Sequence, residues 1–354
     1  MWQRVFFALL SEGQFVSALA LVLVSPLLWI NRLLMHIEDV IFPGLQKVKL
    51  DRVVFVLGHQ RSGTTNVQEC LSRVNGAICA ENYDCLFPSL ILKVLMWPFR
   101  LLSDVIIRNL FDTPNHRVGL SEPLEEHLWL LHHVFGEAVP FVFFPSLCNQ
   151  QHLIKQCIEV SDSHIEFIKR CMQRVIYWNH GSDKVYIGKP LLFSMHVNKL
   201  RNHFPHAKLV VCVRNPLGAI PSYVDLLASI TGMQPDDPVF KQIFSCIFSS
   251  YCVQMYERIA ELVRKGDALE DGIALIPFSE WKKNPKIQLT KLCKWIGLRG
   301  NASLQTGKKE KHQNRSSSRK LIPREVIMSK LGSSFKVINK FDPENKLIEM
   351  KNNK

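Results

Sequence analysis

The chain has 354 residues, with 44 Lys and Arg against 31 Asp and Glu, and therefore a formal net charge of +13. A hydrophobic fraction of 47% supports a sizeable core, and 21% charged residues are too few for a disordered chain or a coiled coil. The 17 Gly and 18 Pro exclude collagen-like and low-complexity classes, and a single long apolar stretch excludes a polytopic transporter.

The first element along the chain is an uncharged apolar stretch from Gly13 to Asn31. Because about 20 apolar residues span a bilayer, it is just long enough for a single-pass signal anchor. A helix lying on the membrane and a helix packed on the rest of the protein are the other two interpretations. A cleavable signal peptide is disfavoured because no small-x-small site follows. We expect residues 1–40 to contact a membrane, either single-pass or peripherally, with the Golgi as the compartment in a eukaryote.

Strands and helices alternate in the rest of the chain, which predicts an α/β domain at 41–335 and a basic tail at 336–354. We expect a P-loop-like three-layer sandwich with a central, mostly parallel sheet flanked by helices. The predicted strands are 53–58, 184–190, 208–216 and 272–278. The predicted helices follow the loop to Arg73, fill 86–110 with a break at Pro98, cover 122–135 and 157–178, and run from Pro216 through Leu227.

A phosphate-binding loop follows the first predicted strand. Residues 58–65 read GHQRSGTT, which has the spacing of a Walker A loop, G-x-x-x-x-G-K-[ST], between a strand and a helix. Glycines let the backbone wrap a phosphate, and the N–H groups and the helix dipole hold its charge. Position 64 is Thr where an ATP hydrolase needs Lys, so an arginine in the loop is the candidate cation. The loop residues expected to bind are Arg61, Ser62, Gly63, Thr64 and Thr65.

A second polar cluster follows the third predicted strand, where Arg214 opens the sequence RNPLGAIPS. Ser222 lies two turns into the helix that Pro216 starts. In open α/β sheets, ligands bind beyond the carboxyl ends of the strands, where both polar clusters fall. A guanidinium and a hydroxyl suit a second phosphate, so Arg214 and Ser222 are its candidate ligands. The structural alternative is an arginine paired with a nearby carboxylate.

Together these motifs resemble the sulfotransferase superfamily, whose donor is 3′-phosphoadenosine-5′-phosphosulfate (PAPS). The RSGTT sequence is similar to the family's 5′-phosphosulfate loop, and R-N-P-x(5)-S is similar to its 3′-phosphate site. FPHAKLVVCVRNP (204–216) is similar to the family's strand entry. LSEPLEEHLWLL (120–131) is similar to the acidic segment of the membrane, carbohydrate-type and microbial branch. The resemblance covers residues 50 to 335.

The resemblance implies in-line transfer of a sulfuryl group from PAPS to the hydroxyl of a glycan, a glycolipid or another alcohol, with no metal required. Arg61 and the loop N–H groups would stabilise the charge that builds on the transferring group. Arg214 and Ser222 would select the 3′-phosphate.

The acceptor needs a general base, and the acidic segment supplies two carboxylates. We favour Glu125, with Glu126 second. Two first-turn carboxylates that cap a helix are the structural alternative. His116 and His127 are rivals, because neutral imidazole is the ordinary base near pH 7.

The chain departs from the cytosolic branch of the family in three places. Asn66 stands directly after the loop, where a Trp often helps to hold adenine, so the adenine contact is unassigned. The family's loop lysine is Arg61 here. The R-K-G segment that closes over the donor has only a weak counterpart in Arg315, Arg319 and Lys320.

Two other functions compete. A P-loop kinase that uses ATP predicts the missing lysine and a metal-binding acid, and a non-catalytic phosphate-binding membrane protein predicts donor binding without transfer. Residues 301–354 hold 13 Lys and Arg against 5 Asp and Glu, but no zinc finger, RNA-binding signature or basic zipper accompanies them. None of the ten cysteines forms a C-x-x-C pair. We therefore expect no nucleic-acid partner and no metal site.

Overall fold

The computed structural model describes residues 15–111, 119–130, 159–266, 272–298 and 321–343. The strands are β1 Val53–Gly58, β2 Ala77–Ile78, β3 Val185–Gly188, β4 Lys208–Val213 and β5 Ile273–Pro277. Within the described residues they form one parallel sheet in the order β2-β3-β1-β4-β5. All four predicted strands are confirmed. The sheet also contains β2, whose two residues are too short to leave a pattern in the sequence.

The helices lie on both faces of the sheet. In chain order they are α1 Phe15–Ile41, α2 Thr64–Ser72, α3 Asn82–Leu86, α4 Leu90–Met96, α5 Arg100–Phe111, α6 Asp162–Trp178, α7 Val197–His203, α8 Pro216–Thr231, α9 Pro238–Ile247, α10 Val253–Lys265, α11 Phe278–Lys283, α12 Pro285–Ile296 and α13 Arg324–Phe341. Short 3₁₀ turns cover Trp97–Phe99, Glu126–Trp129 and Leu191–Met195, and one π-helical turn covers Phe248–Cys252. The predicted break at Pro98 is confirmed by the turn between α4 and α5.

The sheet is buried on both faces, which is why its strands read as continuous apolar runs. Along β1, Phe55 and Leu57 face a large core shared with α6, α8, α10 and α13. Val54 and Val56 face a smaller core shared with α2 and α12. The alternation follows from the two-residue period of a strand, and it confirms the expected three-layer sandwich.

The helix predicted over 122–135 is wrong in its first residues. There the chain is extended, because the Leu124 N–H donates to the Ala80 carbonyl at 2.8 Å and the Asn82 N–H donates to the Glu122 carbonyl at 3.0 Å. Pro123 forms an antiparallel bridge with Glu81. Only at residue 126 does a 3₁₀ turn begin. Pairing with a distant segment therefore overrides the local helix pattern, and 131–135 lie outside the described residues.

Helices near both ends of the chain pack on the body. Helix α13 buries Ile327, Leu331 and Phe335 in the large core and runs across the boundary predicted at residue 335. Helix α1 buries Met35 and two polar residues against the body. None of the described helices is long and apolar enough to cross a membrane. The expected spanning anchor therefore lacks support in the part of the chain that the structure covers.

Candidate active site

The loop after β1 has the backbone that its two glycines allow. Gly58 has φ +144°, and a Cβ there would lie 2.5 Å from the Cys212 carbonyl oxygen. Gly63 has φ +86°, precedes the first residue of α2, and would bring a Cβ to 3.0 Å from the Phe278 ring. Arg61 also adopts a left-handed φ of 65°, which a side chain rarely tolerates. Such strain is typical of sites where the surrounding structure holds a functional geometry.

Ser62 and His59 fit a loop built around a ligand. The Ser62 hydroxyl is buried and makes no hydrogen bond within the described part of the chain. Leaving a buried hydroxyl unpaired costs about 1–3 kcal/mol, so this group suits an oxygen of a bound anion. The His59 ring stacks on Tyr256 with centroids 4.8 Å apart, and its Nδ1 donates to the Gln60 carbonyl at 2.7 Å. Burial lowers the pKa of His59 to about 4, so the ring is neutral and supports the loop without adding charge.

The two predicted phosphate-binding clusters lie together at the carboxyl ends of adjacent strands. Gly58 of β1 aligns with Cys212 of β4. Arg61 Nε donates to Ser222 Oγ at 3.0 Å, across 161 residues of sequence. Arg214 Nη1 donates to the Arg61 carbonyl, and the Arg214 guanidinium lies 4.3 Å above the Phe278 ring. One connected group of two guanidiniums and a hydroxyl therefore borders the loop.

A buried carboxylate at the end of α13 holds together the two backbone segments that follow Arg214 and Phe278. The Asp342 carboxylate accepts the Asn215 N–H and the Ser279 N–H, each at 2.9 Å. Asn215 directly follows Arg214, and Ser279 directly follows the phenylalanine on which that arginine lies. Asp342 lies in the segment predicted as a basic tail, and no pattern in the sequence predicts its position beside Arg214.

A buried lysine that the sequence analysis did not single out joins the acidic segment to the loop. Lys189, which follows β3, is only 2% exposed. Its Nζ donates to Thr65 Oγ1 at 2.9 Å and lies 2.9 Å from Glu125 Oε1. His127 Nε2 lies 3.4 Å from the other oxygen of Glu125. The structure thus brings Glu125 and His127 to the edge of the loop through a cation.

Glu126, the second carboxylate of the acidic segment, points into the core instead. It is fully buried and accepts hydrogen bonds from the Lys189 N–H at 2.5 Å and from the Tyr186 hydroxyl at 3.0 Å. Burial raises the pKa of Glu126 from 4.5 to about 7. A Cβ at Gly188 would lie 2.9 Å from its Oε1, so this glycine makes room for the carboxylate. Burial also lowers the pKa of His127, which keeps that imidazole neutral near pH 7.

Asn66 Oδ1 accepts a hydrogen bond from Trp281 Nε1 at 2.8 Å, and no residue is assigned to adenine. The residues outside the described part of the chain are His116, Arg315, Arg319 and Lys320. Among the described residues, no group of three or more His, Cys, Asp or Glu side chains has the geometry to hold a metal ion.

Comparison with known proteins identifies the family of the chain. The model of the sulfotransferase family matches residues 53–301. The omega-hydroxy-beta-dihydromenaquinone-9 sulfotransferases of Mycobacterium bovis and Mycobacterium tuberculosis are 26% identical over 264 residues, which is 72% of this chain and 64% of those proteins. The chain therefore spans less than two thirds of the length of the curated relatives it matches.

Two solved structures share the fold. A sulfotransferase from Mycobacterium tuberculosis has a TM-score of 0.64 at 15% identity, with 96% of this chain and 91% of that chain covered. A sulfotransferase from Mycobacterium avium has a TM-score of 0.59 at 15% identity, with 89% and 74% covered. The family model spans most of the domain that carries the loop and Arg214. The chain therefore belongs to the sulfotransferase family.

Proposed function

We propose that this protein transfers a sulfuryl group from PAPS to the hydroxyl of a lipid-like alcohol. One observation carries the donor assignment: Arg61, Ser222 and Arg214 meet beside the loop although they come from distant parts of the sequence. PAPS carries a phosphosulfate at one end and a 3′-phosphate at the other, so it needs two anion-binding elements side by side. ATP lacks the 3′-phosphate, and a kinase has no use for the second element.

The loop and its cations receive the reacting end of the donor in this proposal. Ser62, Thr64 and Thr65 with the N–H groups at the start of α2 bind the 5′-phosphate. The acceptor oxygen bonds to sulfur while the bond from sulfur to the bridging phosphate oxygen breaks, and 3′-phosphoadenosine-5′-phosphate leaves. Negative charge builds on that bridging oxygen, and it is stabilised by Arg61 within the loop and by Lys189 beside Thr65.

The acceptor's proton goes to Glu125. This carboxylate is partly exposed and borders the loop through Lys189, so an acceptor hydroxyl can reach it. Glu126 acts as a positioning residue, because its carboxylate fixes the backbone N–H of Lys189 and is shielded from the acceptor. His127 lies close enough to Glu125 to share the proton after transfer.

The acceptor class is supported by the curated relatives, which are named as sulfotransferases of a hydroxylated menaquinone derivative. A lipid-like acceptor suits this chain, because the helices near the N-terminus of the chain display an extensive apolar surface. A glycan acceptor has no comparable support. We also propose that the chain associates peripherally with a membrane through its N-terminal segment.

Calorimetry with 3′-phosphoadenosine-5′-phosphate tests the donor assignment. We expect metal-free binding that exceeds binding of 5′-AMP and of ATP with magnesium, and that weakens at least about tenfold in Arg214→Ala. Arg258→Ala is the matched control, since Arg258 is an exposed arginine paired with Glu261 on α10. Equal affinity for 5′-AMP, or preference for ATP with magnesium, would refute the donor assignment.

A further inference from the structure

Helix α1 buries Leu28 and Met35 in the large core, but it is also apolar on its exposed side. Its side chains that face the body include Asn31 and Glu38, both fully buried. Its exposed side includes Trp29 at 60% exposure and Leu33 at 61%, and it continues through Ile37 to Ile41. A surface helix of a globular protein normally buries its apolar stripe. Helix α1 therefore directs a second set of apolar side chains away from the protein.

A second exposed apolar strip lies on the neighbouring helices α4 and α5. It includes Val94, Leu95, Trp97 and Leu101, the last of which is 83% exposed. Leu27 of α1 packs with residues of α4 against the same small cluster, so the helices that carry the two strips lie beside each other. We call this combined surface of α1, α4 and α5 the apolar face.

Polar contacts hold the apolar face in a fixed orientation. The Glu38 carboxylate accepts the Ser89 hydroxyl at 2.6 Å and the Ile91 N–H at 2.8 Å, which ties α1 to the start of α4. Its other oxygen accepts Arg174 Nε of α6 at 2.9 Å. The Asn31 amide donates to the Leu86 carbonyl at 3.1 Å. The outward direction of the apolar side chains is therefore built into the fold.

The charges around the apolar face favour one occupant. In the described parts of α1, α4 and α5, no carboxylate falls in the exposed class. The Arg32 guanidinium lies 5.3 Å from the Trp29 ring and the Arg100 guanidinium 4.9 Å from the Trp97 ring. Tryptophan beside a cation is the combination that anchors proteins at the boundary between headgroups and acyl chains.

We infer that the apolar face docks the protein on the surface of an anionic bilayer, without spanning it. The net charge of +13 adds long-range attraction to such a surface. The Arg100 guanidinium also pairs with the Glu81 carboxylate at 2.6 Å, so a two-fold dimer through the same face is an outcome that the test must distinguish. This inference rests on the peripheral association proposed above and assigns it to a defined surface, but it is independent of the donor assignment, because docking requires no PAPS.

Vesicle flotation of the full chain tests the docking surface in the absence of donor. The vesicles are phosphatidylcholine alone or phosphatidylcholine with phosphatidylglycerol. We expect flotation with the anionic vesicles, and at least about tenfold weaker binding for Leu33→Glu and for Leu101→Glu, since burying one leucine contributes roughly that factor. Ile287→Glu on α12 is the matched control, because Ile287 is exposed outside the apolar face. Thermal unfolding confirms that each variant is folded.

A second readout locates the contact. Brominated lipids in the vesicles quench tryptophan fluorescence, and we expect this quenching to fall in Trp29→Phe and Trp97→Phe but not in Trp295→Phe on α12. The inference is overturned if the wild type stays with the unbound fraction, or if all variants float equally. It is also overturned if light scattering shows a dimer that the Leu33→Glu change dissociates while vesicle binding is absent.

Discussion

Replacing Glu126 with Gln separates the two roles that a carboxylate of the acidic segment can have. Glu126 is fully buried between the Lys189 N–H and the Tyr186 hydroxyl, and burial raises its pKa from 4.5 to about 7. That rise corresponds to about 3 kcal/mol of proton-binding free energy. Because the folded pKa lies above the unfolded one, the proton bound to Glu126 stabilises the folded state. This stabilisation is fully present below pH 4.5 and is lost as the pH rises through about 7.

The glutamine side chain has the same shape and does not titrate. Its amide oxygen can accept the Lys189 N–H, and its amide N–H can donate to the oxygen of Tyr186. We therefore expect similar free energies of unfolding for wild type and variant near pH 4.5, and a variant that is more stable by about 3 kcal/mol near pH 8. Urea unfolding at several pH values measures this difference. A difference that does not change with pH, or that grows toward acid, would refute the buried, protonated carboxylate.

The same variant tests the assignment of the base. As a positioning residue, Glu126 tolerates Gln, and we expect kcat to stay within about tenfold of wild type. Glu125→Gln is the comparison, with an expected loss of about 10²–10⁴ in kcat. The assignment is wrong, and the two roles are reversed, if E126Q remains folded but loses that much activity while E125Q keeps its activity.

Three further changes test other parts of the site. Lys189→Met should lower kcat by about 10²–10³ without loss of folding, and unchanged transfer of labelled sulfate would contradict its role at the leaving oxygen. Gly58→Ala should destabilise the fold by well over about 1 kcal/mol in urea unfolding, because its Cβ would lie 2.5 Å from a carbonyl oxygen. Gly232→Ala is the control for this change, because Gly232 also has a positive φ but nothing lies within 4 Å of the added carbon. An equal loss of stability in both variants would count against the steric explanation. Asp342→Asn should lower stability by about 1–3 kcal/mol and weaken donor binding in calorimetry, since an amide cannot accept both N–H groups as a carboxylate does. Donor binding at wild-type strength would show that the donor site does not depend on this carboxylate.

The sheet was predictable because each buried parallel strand is a continuous apolar run bounded by glycine or polar residues. The same reasoning failed at 122–125, where Pro123 and the acidic residues after it imitate the first turn of a helix. The backbone there pairs with residues 80–82, a long-range contact that no local pattern contains.

The meeting of the two polar clusters was predictable for a topological reason. The carboxyl ends of neighbouring parallel strands meet at one edge of a sheet, and both polar clusters were placed at such ends. Lys189 has the same signal, since it lies at the carboxyl end of the predicted strand 184–190, but an isolated lysine at the end of a strand carries no motif. Asp342 leaves no local sign, because it reaches Asn215 across 127 residues of sequence.

The orientation of α1 could not be chosen from hydrophobicity alone, and three interpretations stayed open. A more specific signal was present in the sequence. Asn31, Met35 and Glu38 are spaced at four and three residues, which places two polar groups on one side of the helix. The partners that make this side the buried one, Arg174 and Ser89, lie far along the chain.

The central claim is sulfuryl transfer from PAPS to a lipid-like alcohol, and the most direct measurement uses labelled donor. Full-length protein is incubated with sulfur-labelled PAPS and a long-chain prenyl alcohol in anionic vesicles, without added metal, beside Glu125→Gln and Arg258→Ala. The account predicts label in the lipid fraction together with free 3′-phosphoadenosine-5′-phosphate for the wild type and Arg258→Ala, and a loss of both in Glu125→Gln. The account is contradicted if the protein binds the donor but releases no desulfated nucleotide with any alcohol or glycan offered. The site would then bind PAPS without transferring its sulfuryl group.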